Sequence, residues 1–132
     1  MTTHHASGRF DVTMQAQPGP APAQGVTLGR SLLDKQYHGE LQARAQGQML
    51  SAMTGTPGSA GYVAIEQVSG SLHGREGSFV LQHHGLMDRG TPQLSVTVVP
   101  DSGSGALAGL TGRLAIRIVE GRHFYDFDYS LP

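Results

Sequence analysis

No cysteine occurs in the 132 residues. Disulfides, thiolate zinc sites and thiol nucleophiles are thereby excluded. Tryptophan is also missing, and Phe and Tyr number four each. That is too few aromatics for a platform on which single-stranded nucleic acid stacks. Charge is scarce as well: Asp, Glu, Lys and Arg make up 14% of the chain and the net charge is −1, against an ordinary charged share of about a quarter. Without a basic excess there is no counterion release to drive binding to DNA or RNA. No apolar run approaches the ~20 residues that span a bilayer. The opening "MTTHHASGRF" has no charged segment followed by an apolar one, so it does not read as a secretory signal. The expectation is a cytoplasmic chain with neither nucleic acid nor membrane as partner. Its length fits one domain, residues 1–132, large enough to bury a core.

What is present is alternation. "RFDVTMQ" sets Phe10, Val12 and Met14 against Arg9, Asp11 and Thr13, and "LQARAQGQM" sets Leu41, Ala43, Ala45, Gly47 and Met49 against Gln42, Arg44, Gln46 and Gln48. A period of two is the signature of half-buried strands. "VTLGRSLLDKQY", "YVAIEQV", "GSFVLQHHG", "PQLSVTVV", "RLAIRIV" and "HFYDFDYSL" add to them, rich in β-branched and aromatic residues. About eight strands at short spacing predict an antiparallel sandwich or barrel. Glycine- and proline-rich breaks at 17–25, 54–61 and 100–112 read as loops, and residues 1–5 as a flexible end. Within the last loop, "GALAGL" has room for one helical turn.

Two hairpin registers follow from turn chemistry. A tight turn at His73-Gly74 pairs Glu66 with Leu81 and Ala64 with His83. Tyr62, Ala64, Glu66 and Val68 then share an inward face with Phe79, Leu81 and His83. Glu66 and His83 become diagonal neighbours, roughly 5–8 Å apart at Cβ. A second turn at Glu120-Gly121 places Leu114, Ile116 and Ile118 with His123, Tyr125, Phe127 and Tyr129. It sets Arg113 and Arg117 against Asp126 and Asp128 on the outer face.

"YVAIEQVSGSLHGREGSFVLQHHG", "VVPDSGSGALAGLTG" and "GRHFYDFDYSL" together resemble the bacterial domain-of-unknown-function family 3224, from about Ala6 to Leu131. The resemblance implies an all-β, single-domain, eight-stranded antiparallel barrel, allene-oxide-cyclase-like and calycin-like in general shape. It implies no activity and transfers no catalytic residue. Where the family follows the strand histidine with a small residue, this chain has His84.

Glu66 and His83 are the candidate chemistry. A carboxylate beside an imidazole suits proton transfer, or it can anchor the polar group of a ligand in an apolar cavity. The plainer alternative is a buried pair that satisfies itself, with help from the hydroxyl of Tyr62 or Tyr125. Tyr62, Glu66, Phe79, His83, His123 and Tyr125 are the expected ligand-binding set. No spacing matches a metal signature: His4-His5 and His83-His84 diverge, because neighbouring strand residues point to opposite faces. His83, His123 and Glu66 are the one set that could share the interior. Neither metal nor cofactor is expected. His4, His5, His38 and His73 read as terminal and turn residues in water, and His84 as an outer residue. "DSGSGALAGLTG" lacks the Gly-Lys-Ser/Thr ending of a phosphate loop.

Three functions are consistent with these residues. One is a binding barrel for a small apolar ligand. The second is a cofactor-free isomerase or cyclase in which Glu66 or His83 moves a proton. The third is a packed module that forms a homo-oligomer through the small-residue face of Leu41–Met49 or through exposed strands.

Overall fold

The computed structural model describes residues 2–22 and 24–132. Among them there are nine strands and no helix: β1 (His4–Gln17), β2 (Thr27–Gly39), β3 (Leu41–Met53), β4 (Ala60–Leu72), β5 (Arg75–Asp88), β6 (Thr91–Val98), β7 (Ser104–Gly105), β8 (Thr111–Val119) and β9 (Arg122–Ser130). The spatial order is β4-β3-β2-β1-β9-β8-β6-β5, and β5 pairs back onto β4. Eight antiparallel strands therefore close a barrel in which each strand is hydrogen-bonded to its neighbours in chain order. β7 is a two-residue stub on the edge of β5.

Turn chemistry sets the register. The β4–β5, β5–β6 and β8–β9 hairpins close with Leu72 opposite Arg75, Asp88 opposite Thr91 and Val119 opposite Arg122. Their two-residue loops are His73-Gly74, Arg89-Gly90 and Glu120-Gly121, all with positive φ. This is the twist that matches a right-handed hairpin and that glycine tolerates at its second position. Glu66 lies opposite Leu81 and Ala64 opposite His83, as the sequence predicts. Arg113 faces Asp128, and Arg117 reaches Asp126 at 2.7 Å on the outer wall.

The core fills one end of the barrel. Phe79 stacks on Phe127, with ring centroids 5.8 Å apart, and Tyr37 meets Tyr125 edge-on at 5.6 Å. The 100–112 segment forms successive turns with bonds from Leu107 N–H to Ser104 O and from Leu110 N–H to Leu107 O. No helical turn develops there, because glycines interrupt the run. Leu107 and Leu110 are instead buried and close this end. His4 and His5, expected in a flexible terminus, begin β1 and pair with Tyr129 and Asp128 of β9. The small-residue face of β3 also departs from the oligomer expectation. Leu41, Ala43 and Ala45 are buried inside the barrel, where the two alanines make room for larger neighbours.

At the other end the interior is uncovered. Inward-facing Met14 on β1 and Ile118 on β8 are 57% and 65% exposed. β6 and β8 share a single paired position, Thr97 with Arg113, so the wall beside this mouth is the least tightly laddered part of the barrel.

Candidate functional site

Between the packed end and the mouth lies a buried polar layer. On β2, the alternation Leu33, Lys35, Tyr37 faces inward. On β4, Tyr62, Ala64 and Glu66 do the same, and on β5 so does His83. β3 separates β2 from β4, and it presents Ala45 opposite Lys35 and Gly47 opposite Glu66. These short residues let two long charged side chains meet across β3. Gly47 is obligatory for this approach: a Cβ there would lie 2.1 Å from the Ile65 carbonyl oxygen and 2.7 Å from the Glu66 Cα.

Glu66 is the hub. Lys35 Nζ donates to its Oε2 at 2.6 Å, His83 Nε2 donates to the same oxygen at 2.6 Å, and the Tyr37 hydroxyl donates to Oε1. The Tyr62 hydroxyl lies 3.2 Å from His83 Nδ1. Lys35 Nζ also sits 5.0 Å from the centre of the Phe10 ring, which suits a cation lying over an aromatic face. Lys35 and Glu66 side chains are 6% and 1% exposed. No buried side-chain nitrogen or oxygen among the described residues lacks a partner.

The electrostatics follow from this closure. Burial is the largest influence on the Glu66 carboxyl and pushes its pKa up. The His83 hydrogen bond, the Lys35 charge beside it and further contributions from both residues outweigh burial and hold it at about 2. Glu66 is thus an anion whose two oxygens accept from three donors, two on Oε2 and one on Oε1. Burial, then the Glu66 charge, raises the pKa of Tyr62, which keeps its hydroxyl protonated. The same two influences act more strongly on Tyr37. With Nε2 donating to the carboxylate, the Nδ1 of His83 accepts from the Tyr62 hydroxyl. A hydrogen-bonded chain then runs Glu66–His83–Tyr62, from a fully buried charge to a half-buried hydroxyl below the mouth.

Three of the residues expected at a site come together here: Tyr62, Glu66 and His83. Phe79 and Tyr125 do not. Both are core residues, and the Tyr125 hydroxyl donates to the His38 carbonyl and accepts from the Leu41 N–H, each at 2.9 Å, pinning the β2–β3 turn. His123 packs against Phe10 at 5.1 Å between ring centroids and is not part of the Glu66 cluster. No group of three or more metal-ligating side chains converges among the described residues. His84 is exposed on the outer wall. His73 is not simply a turn residue in water: it bonds Tyr129 through Nδ1 and reaches Glu40 at 2.9 Å through Nε2. Lys35 and Tyr37 escaped the sequence reading, because that reading assigned no phase to β2. The β2–β3 turn carries the signal, since pairing outward from it puts Lys35 opposite Ala45 on the apolar face.

The model of the family described as "Protein of unknown function (DUF3224)" matches residues 6–129 of this chain. The chain belongs to the DUF3224 family. A crystal structure of a DUF3224 protein of unknown function from Shewanella oneidensis MR-1 is similar over almost the whole length. The two chains share 53% sequence identity and a TM-score of 0.96, covering 99% of this chain and 98% of the other. No curated protein matches the chain. DUF3224 membership thus fixes the barrel and assigns no activity.

Proposed function

We propose that this protein holds a small, largely apolar molecule at the mouth of the barrel, with the molecule's polar group on the Tyr62 hydroxyl. The observation that carries this reading is the Glu66–His83–Tyr62 chain, which ends in a half-buried hydroxyl on the inner side of an apolar, uncovered mouth. The hydrogen of that hydroxyl goes to His83 Nδ1, so its oxygen is left to accept from a ligand O–H or N–H. Small-molecule sites combine an apolar lining with a few placed polar groups. Here Met14, Met49, Leu94 and Ile118 supply the lining positions, all facing inward on their strands. Buried side chains such as Phe79, Tyr125 and Phe127 occupy the packed end, which supports placing the proposed site at the open end. Native mass spectrometry of freshly purified protein tests the proposal. The expected result is a retained small molecule, at lower occupancy in Tyr62→Phe and absent from Met14→Glu/Ile118→Lys. Equal retention in all three forms overturns it. So does a wild-type chain that retains nothing and binds no short-chain alcohol by ligand-observed NMR.

A second reading, proton transfer to the bound molecule, is favoured by the same chain. Glu66 would orient His83 and would not itself accept a proton, because its oxygens are occupied and its carboxyl is held at about 2. A proton leaving the bound molecule would pass to the Tyr62 oxygen as the Tyr62 hydroxyl proton moves to the His83 Nδ1 lone pair, and the reverse relay would return it to another atom of the molecule. A retained molecule that changes on incubation with wild-type protein, but not with Tyr62→Phe, would separate an isomerase or cyclase from a carrier.

A further inference from the structure

Charge on the outer wall is densest on β1, β8 and β9 and sparser on β2 to β5, where Asp34 and Arg44 pair with each other toward the packed end. On β1, β8 and β9 it carries Arg9, Asp11, Arg113, Arg117, Asp126 and Asp128, several of them paired. On the opposite side the outer face of β4 has no charged residue at all, since Glu66, the strand's one charged residue, points inward. Leu28, Leu50, Val63, Ile65 and Leu86 lie on that side, on the four adjacent strands β2 to β5, and each is about half exposed. The register makes them contiguous: Leu28 neighbours Ala52, which leads through Gly61 to Leu86, and Leu50 neighbours Val63. Gln48 and Gln82 flank Ile65, and His84 flanks Val63. Arg30, at the margin, is bonded to Gln48.

We infer that this wall is a dimer interface, occupied by a second copy of the same chain packed face to face about a two-fold axis. The inference is independent of the ligand reading, because these side chains point away from the interior. Four strands and three rows of side chains span roughly 15–20 Å each way, or about 200–400 Å² with the polar frame included. That is up to about half of a standard interface of about 800 Å² per partner. The apolar side chains lie at its centre, and the neutral glutamine and histidine frame is placed as the polar rim is in such interfaces. A closed barrel offers no free sheet edge through which to associate, so contact must be made through a face. The second copy is the occupant the charge pattern favours. A two-fold contact sets apolar rows on apolar rows and needs no complementary charge, whereas a partner recognised by charge finds only Arg30 within these three rows. Asp34 and Arg44 lie beyond them and pair with each other, and Asp88 lies at the end of β5. Lys/Arg clustering of the kind that draws a chain to an anionic membrane surface is also missing from this wall.

Sedimentation equilibrium of the full chain tests the proposal, with circular dichroism confirming the fold of each variant. The wild type is expected to be dimeric at micromolar concentration. Val63→Lys and, separately, Leu50→Lys should each weaken the dimer ~10-fold or more, as central interface residues do. Thr13→Lys, on the charged wall, should leave it unchanged. A dimer that persists in both Val63→Lys and Leu50→Lys places the contact elsewhere and overturns the proposal. A monomeric wild type also overturns it, and flotation of that monomer with phosphatidylcholine vesicles would assign the wall to a lipid surface instead.

Discussion

Lys35 and Glu66 meet across β3 at 2.6 Å inside the barrel. Neither residue neighbours the other in sequence or on an adjacent strand. The contact exists because Ala45 and Gly47, on the strand between them, are short enough to be spanned. A buried ion pair is seldom the most stabilising way to fill a core, since desolvating two charges costs several kcal/mol each. The pair lies at the level where the packed half gives way to the mouth, directly beneath the proposed ligand site.

The pair makes stability fall in acid. The Glu66 carboxyl is held at about 2 in the folded chain, against an ordinary 4.5. Between these values the unfolded chain binds the extra proton, so stability is fully present above pH ~4.5 and is lost as pH falls toward 2, by on the order of 3 kcal/mol. Exposed Asp34 and Glu40 are also lowered, by Arg44 and His73 respectively. High salt screens those exposed pairs and leaves the buried one. Urea midpoints measured from pH 6 to pH 2 in 1 M salt should therefore still drop. A flat profile there would show that Glu66 is not held as an ion.

Removing one member of the pair should cost more than removing both. Glu66→Gln leaves the Lys35 ammonium buried beside a neutral amide, at a cost of about 3–5 kcal/mol. Lys35→Met leaves Glu66 with the His83 and Tyr37 donors and costs less. Lys35→Met/Glu66→Gln should recover much of the single-variant loss. Denaturant unfolding of the three forms gives the coupling directly, and simple additivity would refute the buried pairing.

Much of this site can be read from the chain, and the part that cannot has a physical reason. The His73-Gly74 turn sets the β4–β5 register without ambiguity, so the approach of Glu66 to His83 follows from local chemistry alone. Lys35 is different. A lysine in "LLDKQY" reads by default as solvent-facing, and the adjacent leucines 32 and 33 leave the inward phase undecided. Only the register outward from Gly39 and Glu40 decides it. The barrel closure, and with it the distinction between packed end and mouth, depends on contacts between β9 and β1, which are separated by almost the whole chain. Alternation fits a sandwich equally well, and the closed barrel entered the sequence reading through family resemblance. Leu107 and Leu110 lay in a segment whose glycines advertise a loop, and nothing local announces that a loop will plug a barrel.

Two glycines should differ in their tolerance of a methyl group. At Gly47 an added Cβ meets backbone, the Ile65 carbonyl oxygen at 2.1 Å, so β3 and β4 must part beside Glu66. Gly47→Ala should cost about 3 kcal/mol or more, at the upper end for overpacking. At Gly85 the Cβ meets the edge of the Tyr62 ring at 2.6 Å, and a ring can swing. Gly85→Ala should cost about 1 kcal/mol while breaking the Tyr62–His83 bond. Denaturation midpoints give the order, and the His83 ring resonances in NMR report the broken bond. Equal costs would contradict the arrangement.

Tyrosine hydroxyls at the two ends of the barrel should be worth different amounts. The Tyr125 hydroxyl accepts from the Leu41 N–H and donates to the His38 carbonyl. Leu41 is buried, and no water replaces the lost acceptor when the oxygen is removed. Tyr125→Phe therefore leaves an unsatisfied amide and should cost about 1–3 kcal/mol. It should also speed amide hydrogen exchange in the β2–β3 turn, which the hydroxyl ties together. Tyr62→Phe removes a donor to His83 Nδ1 below the open mouth, where solvent can take its place, and should cost under about 1 kcal/mol. The Tyr125 hydroxyl is then a structural clasp and the Tyr62 hydroxyl is free to serve a ligand. A larger stability loss from Tyr62→Phe than from Tyr125→Phe would reverse those roles, making the Glu66–His83–Tyr62 chain part of the scaffold.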